Sequence, residues 1–268
     1  MSNGGVVSPD LSLVLACYNS AHFLEESVAE IRRVLGRSRL SYELVFVDDA
    51  SRDDTAQAIE RLIAGRADCQ FLRHRTNTGR GRAVSDGMRL ARGRVVGFVD
   101  VDLATPAHYI PIFVHIVLDG ADLATGLRVY ALSLPIVHRW ILSRAYSWLV
   151  RWSLGQSFRD TETGCKFFRR EILPPLLDET ESPGWFWDTE VMVRAALHGY
   201  RIVEVPTAFV RRPELGSTVR LFRDSLDYAV NLWRFRQRIP RLPRGQGALA
   251  AIASEPRLRY PRPTENAG

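Results

Sequence analysis

The chain has 268 residues, enough to bury one substantial core without disulfide staples. Hydrophobic residues make up 46% and charged residues 25%, a globular balance that excludes wholesale disorder, collagen-like repeats and extended coiled coils. The formal charge of +6 comes from 36 basic against 30 acidic residues, and because Lys166 is the sole lysine nearly all of the positive charge is arginine.

Residues 1–10 are small and polar and lack the basic start and apolar stretch of a secretory signal, so a disordered N-terminus is expected there. Leu11–Ala16 (LSLVLA) is a continuous apolar run of strand length. Residues 22–35 place Phe23, Val28, Ile31 and Leu35 near helical spacing, with Ser20 as a cap and Gly36 as a stop. Tyr42–Val47 (YELVFV) is a second strand that runs straight into Asp48-Asp49-Ala50-Ser51. Thr55–Ile63 reads as an amphipathic helix closing at Gly65, followed by a short strand at Gln70–Leu72 and a glycine-rich turn at Asn77–Gly81. A helix to about Arg92 then leads to the apolar strand Val95–Val99, which ends in Asp100-Val101-Asp102. The longest apolar run, Tyr109–Leu118, contains His115 and falls well short of the roughly 20 residues that cross a bilayer. Asp160 opens a compact polar motif leading into two short elements, and residues 239–268, rich in Pro, Gly and Arg, read as a flexible tail.

Strand and helix alternate, which predicts an α/β domain over 11–238 with a mostly parallel sheet, and such sheets bind ligands beyond the carboxyl ends of their strands. Both acidic pairs fall there. Cys17, Cys69 and Cys165 are widely spaced with no C-x-x-C pair, so free thiols in a reducing compartment are expected.

Several chemistries are excluded by the text itself. The sole lysine follows Cys165 rather than a glycine-rich loop, neither His-Glu-x-x-His nor Gly-x-Ser-x-Gly occurs, and Gly79-Arg80-Gly81 lacks the third glycine of a dinucleotide fingerprint. What remains is carboxylates at strand ends with arginines further on, a combination suited to a metal-bound diphosphate. Asp100 and Asp102, at i and i+2, can face one side together, and hard oxygen ligands select Mg²⁺ or Mn²⁺. Each pair also has a plainer use: D-x-D arises by chance in many chains, and Asp48-Asp49 before Ser51 can simply cap the next helix.

The series ACYN (16–19), VDDASRDDT (47–55), NTGRGRAVSDGM (77–88), FVDVDLATP (98–106), GLR (126–128), DTETGCKFFRR (160–170), WDTE (187–190) and VEVP (203–206) resembles glycosyltransferase family 2 and, within it, the polyprenyl- and dolichyl-phosphate sugar synthases. The resemblance implies a GT-A fold, Rossmann-like with flanking helices, and an inverting transfer of a hexose, mannose or glucose, from a nucleoside-diphosphate sugar to a polyprenyl phosphate. It implies donor contacts at Ala16, Cys17, Tyr18, Asn19, Asp48, Asp49 and Arg80. Asp100, Val101 and Asp102 would meet ribose and metal-diphosphate, with Asp100 and Asp102 as the Mg²⁺ or Mn²⁺ ligands. Arg128, Arg139 and Ser143 fall on acceptor-phosphate positions, Arg128 and Arg139 also being candidates for the chemistry, and Arg212 with Ser217 resembles the segment that folds over the donor diphosphate. Departures from the family pattern are Cys17, Ser20, Arg80, Ala104 and Leu127. Asp188 and Glu190 stand where hydroxyl-acceptor relatives keep a base, acceptor support and helix capping being the two readings.

A lipid phosphate is ionised near neutral pH, so its attack on an anomeric carbon needs no side chain to remove a proton, and a catalytic histidine is not expected. Residues 211–245 hold nine arginines against Glu214, Asp224 and Asp227, and residues 129–152 add Trp140, Trp148 and Trp152 with Arg144 and Arg151. Amphipathic, membrane-facing helices over 129–152 and 211–238 are expected, with the chain peripheral on the cytoplasmic face beside an integral-membrane partner. Nucleic acid is not expected, because the acidic strand ends repel a polyanion. Two alternatives stand beside the lipid acceptor: a soluble glycan or small-molecule acceptor, and a noncatalytic module that binds a nucleotide sugar.

Overall fold

The computed structural model describes residues 8–130, 158–210 and 221–238. In chain order the elements are β1 (Leu11–Cys17), α1 (Ala21–Arg37), β2 (Tyr42–Asp48), α2 (Thr55–Ile63), β3 (Cys69–Arg73), α3 (Arg80–Leu90), β4 (Val95–Val99), α4 (Ile110–Leu118), β5 (Leu123–Tyr130), β6 (Cys165–Arg169), α5 (Leu173–Glu179), α6 (Trp187–Leu197), β7 (Ile202–Phe209) and α7 (Leu221–Arg238). The strands form one seven-stranded sheet in the order β3-β2-β1-β4-β6-β5-β7. β1 pairs in parallel with β2 and β4, and β2 with β3. β6 runs antiparallel between β4 and β5, and β5 pairs in parallel with β7. A mostly parallel sheet is therefore present, as its alternating text requires, with one reversed strand inside it.

The central strands read as unbroken apolar runs because both sheet faces are covered. Leu11, Leu13 and Leu15 of β1 pack on one face with Phe23, Leu24, Val28, Ile31 and Leu35 of α1 and with Phe113 of α4. Val14, Val45 and Val47 pack on the other with Ala83, Val84 and Met88 of α3 and with Trp187, Val191 and Met192 of α6. Gly97 in β4 is required by close approach, since a Cβ there would collide with the Phe167 ring of β6.

Several boundaries differ from the sequence reading, each for a local reason. Helix α1 extends through Gly36 to Arg37, and Ser38 closes it by donating N–H and hydroxyl to Leu35 O. Ser20 sits at the cap position, but its hydroxyl bonds Tyr18 O, and the carboxylate that receives the Ala21 N–H is Asp53, from the loop after β2. Pro9 and Asp10 are already tied to the sheet through Arg94 N–H and Val95 N–H, while residues 1–7 lie outside the described residues. Val129 and Tyr130 finish β5 rather than begin a helix. After Asp160 come two strands and three helices rather than two short elements. Residues 131–152 and 211–220 of the expected membrane-facing helices, and the tail 239–268, are outside the described residues, whereas 221–238 is helical. Among the described residues no helix is long and apolar enough to cross a membrane.

Candidate active site

The carboxyl ends of β1, β2 and β4 lie side by side, and the loops leaving β1 and β2 are stitched together. Asn19, in a left-handed conformation (φ 52°), receives a hydrogen bond on Oδ1 from Arg52 N–H and donates its own N–H to Ser51 Oγ. Ser20 N–H donates to Thr55 Oγ1, and Asp49 N–H donates to Cys17 O. Tyr18 and Ala16 are half-buried here. Cys17 is buried, and its thiol is held above the ordinary range by desolvation and then by Asp48 and Asp53. A donor contact through its side chain is thus closed off, leaving only backbone.

The two aspartates at the β2 tip have separate duties. Asp49 Oδ1 lies 2.7 Å from His74 Nδ1 and accepts from Thr78 N–H and Thr78 Oγ1, each at 2.8 Å, while Oδ2 accepts from Gly79 N–H at 2.9 Å. Burial pushes this carboxyl up, but the hydrogen bonds from His74, Thr78 and Gly79 outweigh it and hold it below the usual carboxylate range. Asp49 therefore organises the Asn77–Gly79 turn, whose Gly79 needs φ 97° and fits against Pro183 O. Both Asp49 oxygens are thus engaged by the turn. Asp48 is fully buried, accepts Ser51 N–H on Oδ1, and has Oδ2 with no hydrogen-bond partner, 3.3 Å from Arg73 Nε.

The β4 tip is built differently. Asp100 and Asp102 lie just past the strand, in a turn closed by Leu103 N–H on Asp100 O with Leu103 at φ 52°, not on the strand itself. Asp102 Oδ1 accepts Ala104 N–H at 3.0 Å, and Val101 is buried in the core beneath. Asp100 Oδ1 accepts both Nε and Nη2 of Arg80, at 2.8 and 2.6 Å. Asp100 Oδ2 accepts nothing from the described residues and rests on Gly164, where any Cβ would collide with it. The Asp100 carboxyl is pushed up to about 6 by desolvation and by the nearby Asp102 and Asp188, against the pull of Arg80.

Arg80 is held on every side. Nη1 reaches Asp188 Oδ2 at 2.7 Å, and the guanidinium carbon stands 5.2 Å from the Phe98 ring centre and 4.9 Å from that of Trp185. The other Asp188 oxygen accepts from Lys166 Nζ at 2.7 Å, and Lys166, fully buried, also donates to Thr163 O. Glu190 accepts Glu181 N–H and Ser182 N–H and pairs with Arg194. Helix capping is therefore not what either acid does: Asp188 is an ion-pair hub, and Glu190 anchors the loop before α6. Lys166 is the group that motif reading passed over. Its signal was compositional, since one lysine in an arginine-rich chain marks a place where a slender ammonium fits and a planar fork does not.

Arg128 leaves β5 into two acids of the DTETG segment, meeting Asp160 through Nε and Nη2 at 2.7 and 2.8 Å and Glu162 at 3.0 Å. Burial raises the Asp160 carboxyl less than Arg128 lowers it, so it stays below the ordinary range, whereas burial wins at Glu162 and raises it. Glu204 of β7 fixes the same segment by accepting Arg159 N–H and Asp160 N–H. Arg139, Ser143, Arg212 and Ser217 lie outside the described residues.

A hard divalent cation fits this donor set. Asp100 Oδ2 and the Asp102 carboxylate are oxygen donors, and after desolvation the charges of Asp102 and Asp188 also raise Asp100, a cost that a bound cation would relieve. Among the described residues no three His, Cys, Asp or Glu side chains converge on one point, so phosphate oxygens and water would complete the shell.

Comparison with known proteins identifies the fold and the family. Glucosyl-3-phosphoglycerate synthase from Mycobacterium tuberculosis, solved with Mn²⁺, UDP and glucosyl-3-phosphoglycerate, superposes with a TM-score of 0.61 at 21% identity, over 86% of this chain and 80% of that one, and identifies the fold as GT-A. Glycosyltransferase AglD of Haloferax volcanii is 33% identical over 231 residues, 84% of this chain and 36% of that protein, so the chain spans about a third of the length of that relative. A dolichyl-phosphate hexose transferase of the same organism is 31% identical over 206 residues, covering 76% of this chain and 84% of that protein. A dolichyl-phosphate beta-glucosyltransferase of Dictyostelium discoideum is 25% identical over 244 residues. The signature of glycosyl transferase family 2 matches residues 12–175, and with these relatives it establishes that the chain belongs to that family.

Proposed function

We propose that the chain transfers a hexose from a nucleoside-diphosphate sugar to an acceptor that carries its own phosphate, with Mg²⁺ or Mn²⁺ at the β4 tip. The observation that carries this reading is at the β4 tip, where among the described residues Asp100 Oδ2 accepts no hydrogen bond; at the β2 tip Asp48 Oδ2 also lacks a hydrogen-bond partner, with Arg73 Nε 3.3 Å away. β2 and β4 flank β1, so at roughly 4.8 Å per strand the tips stand roughly 10 Å apart, a gap that one nucleoside diphosphate bridges. Asp48, buried beneath the exposed Arg73, would accept from the nucleoside once that guanidinium moves off its Oδ2, with Ala16, Tyr18 and Asn19 lining its side of the crevice. Asp100 and Asp102 would hold the cation, which when bound neutralises charge on the departing diphosphate. Arg80 keeps Asp100 in place, three of its five N–H groups meeting Asp100 and Asp188.

The acceptor side is read from charge. At the position where hydroxyl-acceptor relatives keep a base, both Asp188 oxygens are ion-paired and both Glu190 oxygens accept N–H groups, so neither is set to take a proton. An acceptor that arrives ionised suits such a site. Arg128, with Arg139 and Ser143 nearby in the family pattern, would meet that anion, and Arg212 and Ser217 would close over the donor.

Two sources of the acceptor phosphate follow from the relatives. A polyprenyl phosphate is supported by the dolichyl-phosphate transferases, and it fits a chain peripheral on the cytoplasmic membrane face. On α7, Trp233 is 62% exposed and the exposed arginines Arg234 and Arg236 are on the same helix, a mixture that lies well among lipid headgroups. A small soluble phospho-acid is the second reading, favoured by the likeness to glucosyl-3-phosphoglycerate synthase. The test is a two-phase assay with radiolabelled UDP-glucose and GDP-mannose, Mn²⁺ or Mg²⁺, and either detergent-dispersed polyprenyl phosphate or 3-phosphoglycerate. Label extracted into chloroform identifies the lipid acceptor, anionic label in water the soluble one, and no transfer with either would overturn the proposal.

A further inference from the structure

The buried side chains behind the β4 tip form one continuous run: Lys166 Nζ to Asp188 Oδ1 at 2.7 Å, Asp188 Oδ2 to Arg80 Nη1 at 2.7 Å, and Arg80 Nε and Nη2 to Asp100 Oδ1 at 2.8 and 2.6 Å. Two features separate this run from a generic buried ion pair. First, it grips only one of the two Asp100 oxygens, so the carboxylate is oriented without being used up. Second, the Arg80 plane is set by aromatic rings on two sides, Phe98 from β4 itself and Trp185 from the loop before α6. The guanidinium cannot follow a swinging Asp100; Asp100 must stay where the guanidinium is. Lys166 and Asp188 are buried and their polar atoms are taken up by Thr163, Arg80 and each other, so neither is placed to touch a bound nucleotide.

We propose that Asp188 and Lys166 are positioning residues that act through Arg80 to lock Asp100, with Oδ2 presented against the Gly164 backbone for the cation that accompanies the donor. The inference rests on the reading of Asp100 and Asp102 as cation ligands given above. Lys166 has a defined share in it: Asp188 faces two cations, and with Lys166 neutral the carboxylate would be drawn wholly toward Arg80 and away from β6. The charges balance within the run, two cations against Asp188 and Asp100, leaving the Asp102 charge for the metal.

A structural role alone would change stability, whereas a positioning role changes how much a cation improves nucleotide binding. Calorimetric titration of UDP and of GDP, each with and without Mn²⁺, into the parent, Asp188→Asn and the double variant Lys166→Met/Asp188→Asn separates them. The double variant removes one charge of each sign, so it keeps the buried region neutral where the single variant leaves a cation unpaired and endangers folding. In the parent, Mn²⁺ tightens binding of one of the two nucleotides. In the folded double variant that gain falls by about 10-fold or more, while metal-free affinity stays within about 2-fold. A folded double variant with the parent's full Mn²⁺ gain would overturn the positioning role. A parent whose affinity for both nucleotides ignores Mn²⁺ would instead sink the cation reading beneath it, and the inference with it.

Discussion

Asp49 at the β2 tip and Asp100 at the β4 tip look alike in the sequence and are built for opposite purposes. At the β2 tip, Asp49 is satisfied on both oxygens by neutral donors of one turn, Thr78 and Gly79, with His74 alongside. At the β4 tip, Asp100 is gripped on one oxygen by a charged side chain and left open on the other. A carboxylate with both oxygens engaged by the donors of its own turn is framework; one that is oriented on one oxygen and open on the other is a site. Asp49 still serves the second tip, because the turn it organises ends at Gly79 and delivers Arg80 as the first residue of α3.

Substitution at the open tip has the largest expected effect. Asp102→Asn should lower kcat by roughly 10³-fold, the scale of losing a preorganised electrostatic contact, while the urea midpoint stays close to the parent's. Equal activity would erase the distinction between the tips. Gly164→Ala comes next: the added methyl collides with Asp100 Oδ2, and displacing a reacting geometry by about 1 Å costs roughly 10²-fold. Steady-state rates with whichever of UDP-glucose and GDP-mannose supports transfer check it, and loss of stability without loss of kcat would count against the assigned orientation.

At the framework tip the order reverses. Asp49→Ala should cost about 3 kcal/mol in urea unfolding, because Thr78 and Gly79 N–H groups lose a charged acceptor in a buried turn. A smaller, pH-resolved version sharpens the point. The Asp49 carboxyl is held below its ordinary 3.8, so its contribution is complete above that value and is lost as pH falls through the lower folded value. Stability curves of parent and Asp49→Asn should therefore converge in acid, below about pH 4, and parallel curves down to pH 2 would contradict the assignment.

The first half of the molecule was legible because its strands are continuous apolar runs that stop abruptly at acids, and its helices carry apolar residues at regular spacing. β5 and β7 were not, because LATGLRVY and IVEVPTAF carry Gly126, Arg128, Glu204 and Pro206. Pro206 is tolerated because β7 closes one edge of the sheet. β6 was hidden by its length, five residues with a buried lysine, and by its reversed direction, which only the contacts with β4 and β5 decide. Within the site, the pairs 48–49 and 100–102 and Arg80 and Arg128 were found as motifs. Their division of labour was not, since nothing in the letters Asp-Asp says which carboxylate is met by its neighbours. The Lys166–Asp188 contact joins residues on different elements, and sequence spacing carries no trace of it.

The most direct measurement is a thermal-shift comparison of the parent and Asp102→Asn with UDP or GDP, each with and without Mn²⁺. The account predicts that nucleotide and Mn²⁺ together raise the parent's Tm beyond either alone, and that this extra rise disappears in Asp102→Asn while the ligand-free Tm is kept. An undiminished rise in the variant would contradict the claim that the β4 tip is where cation and diphosphate meet.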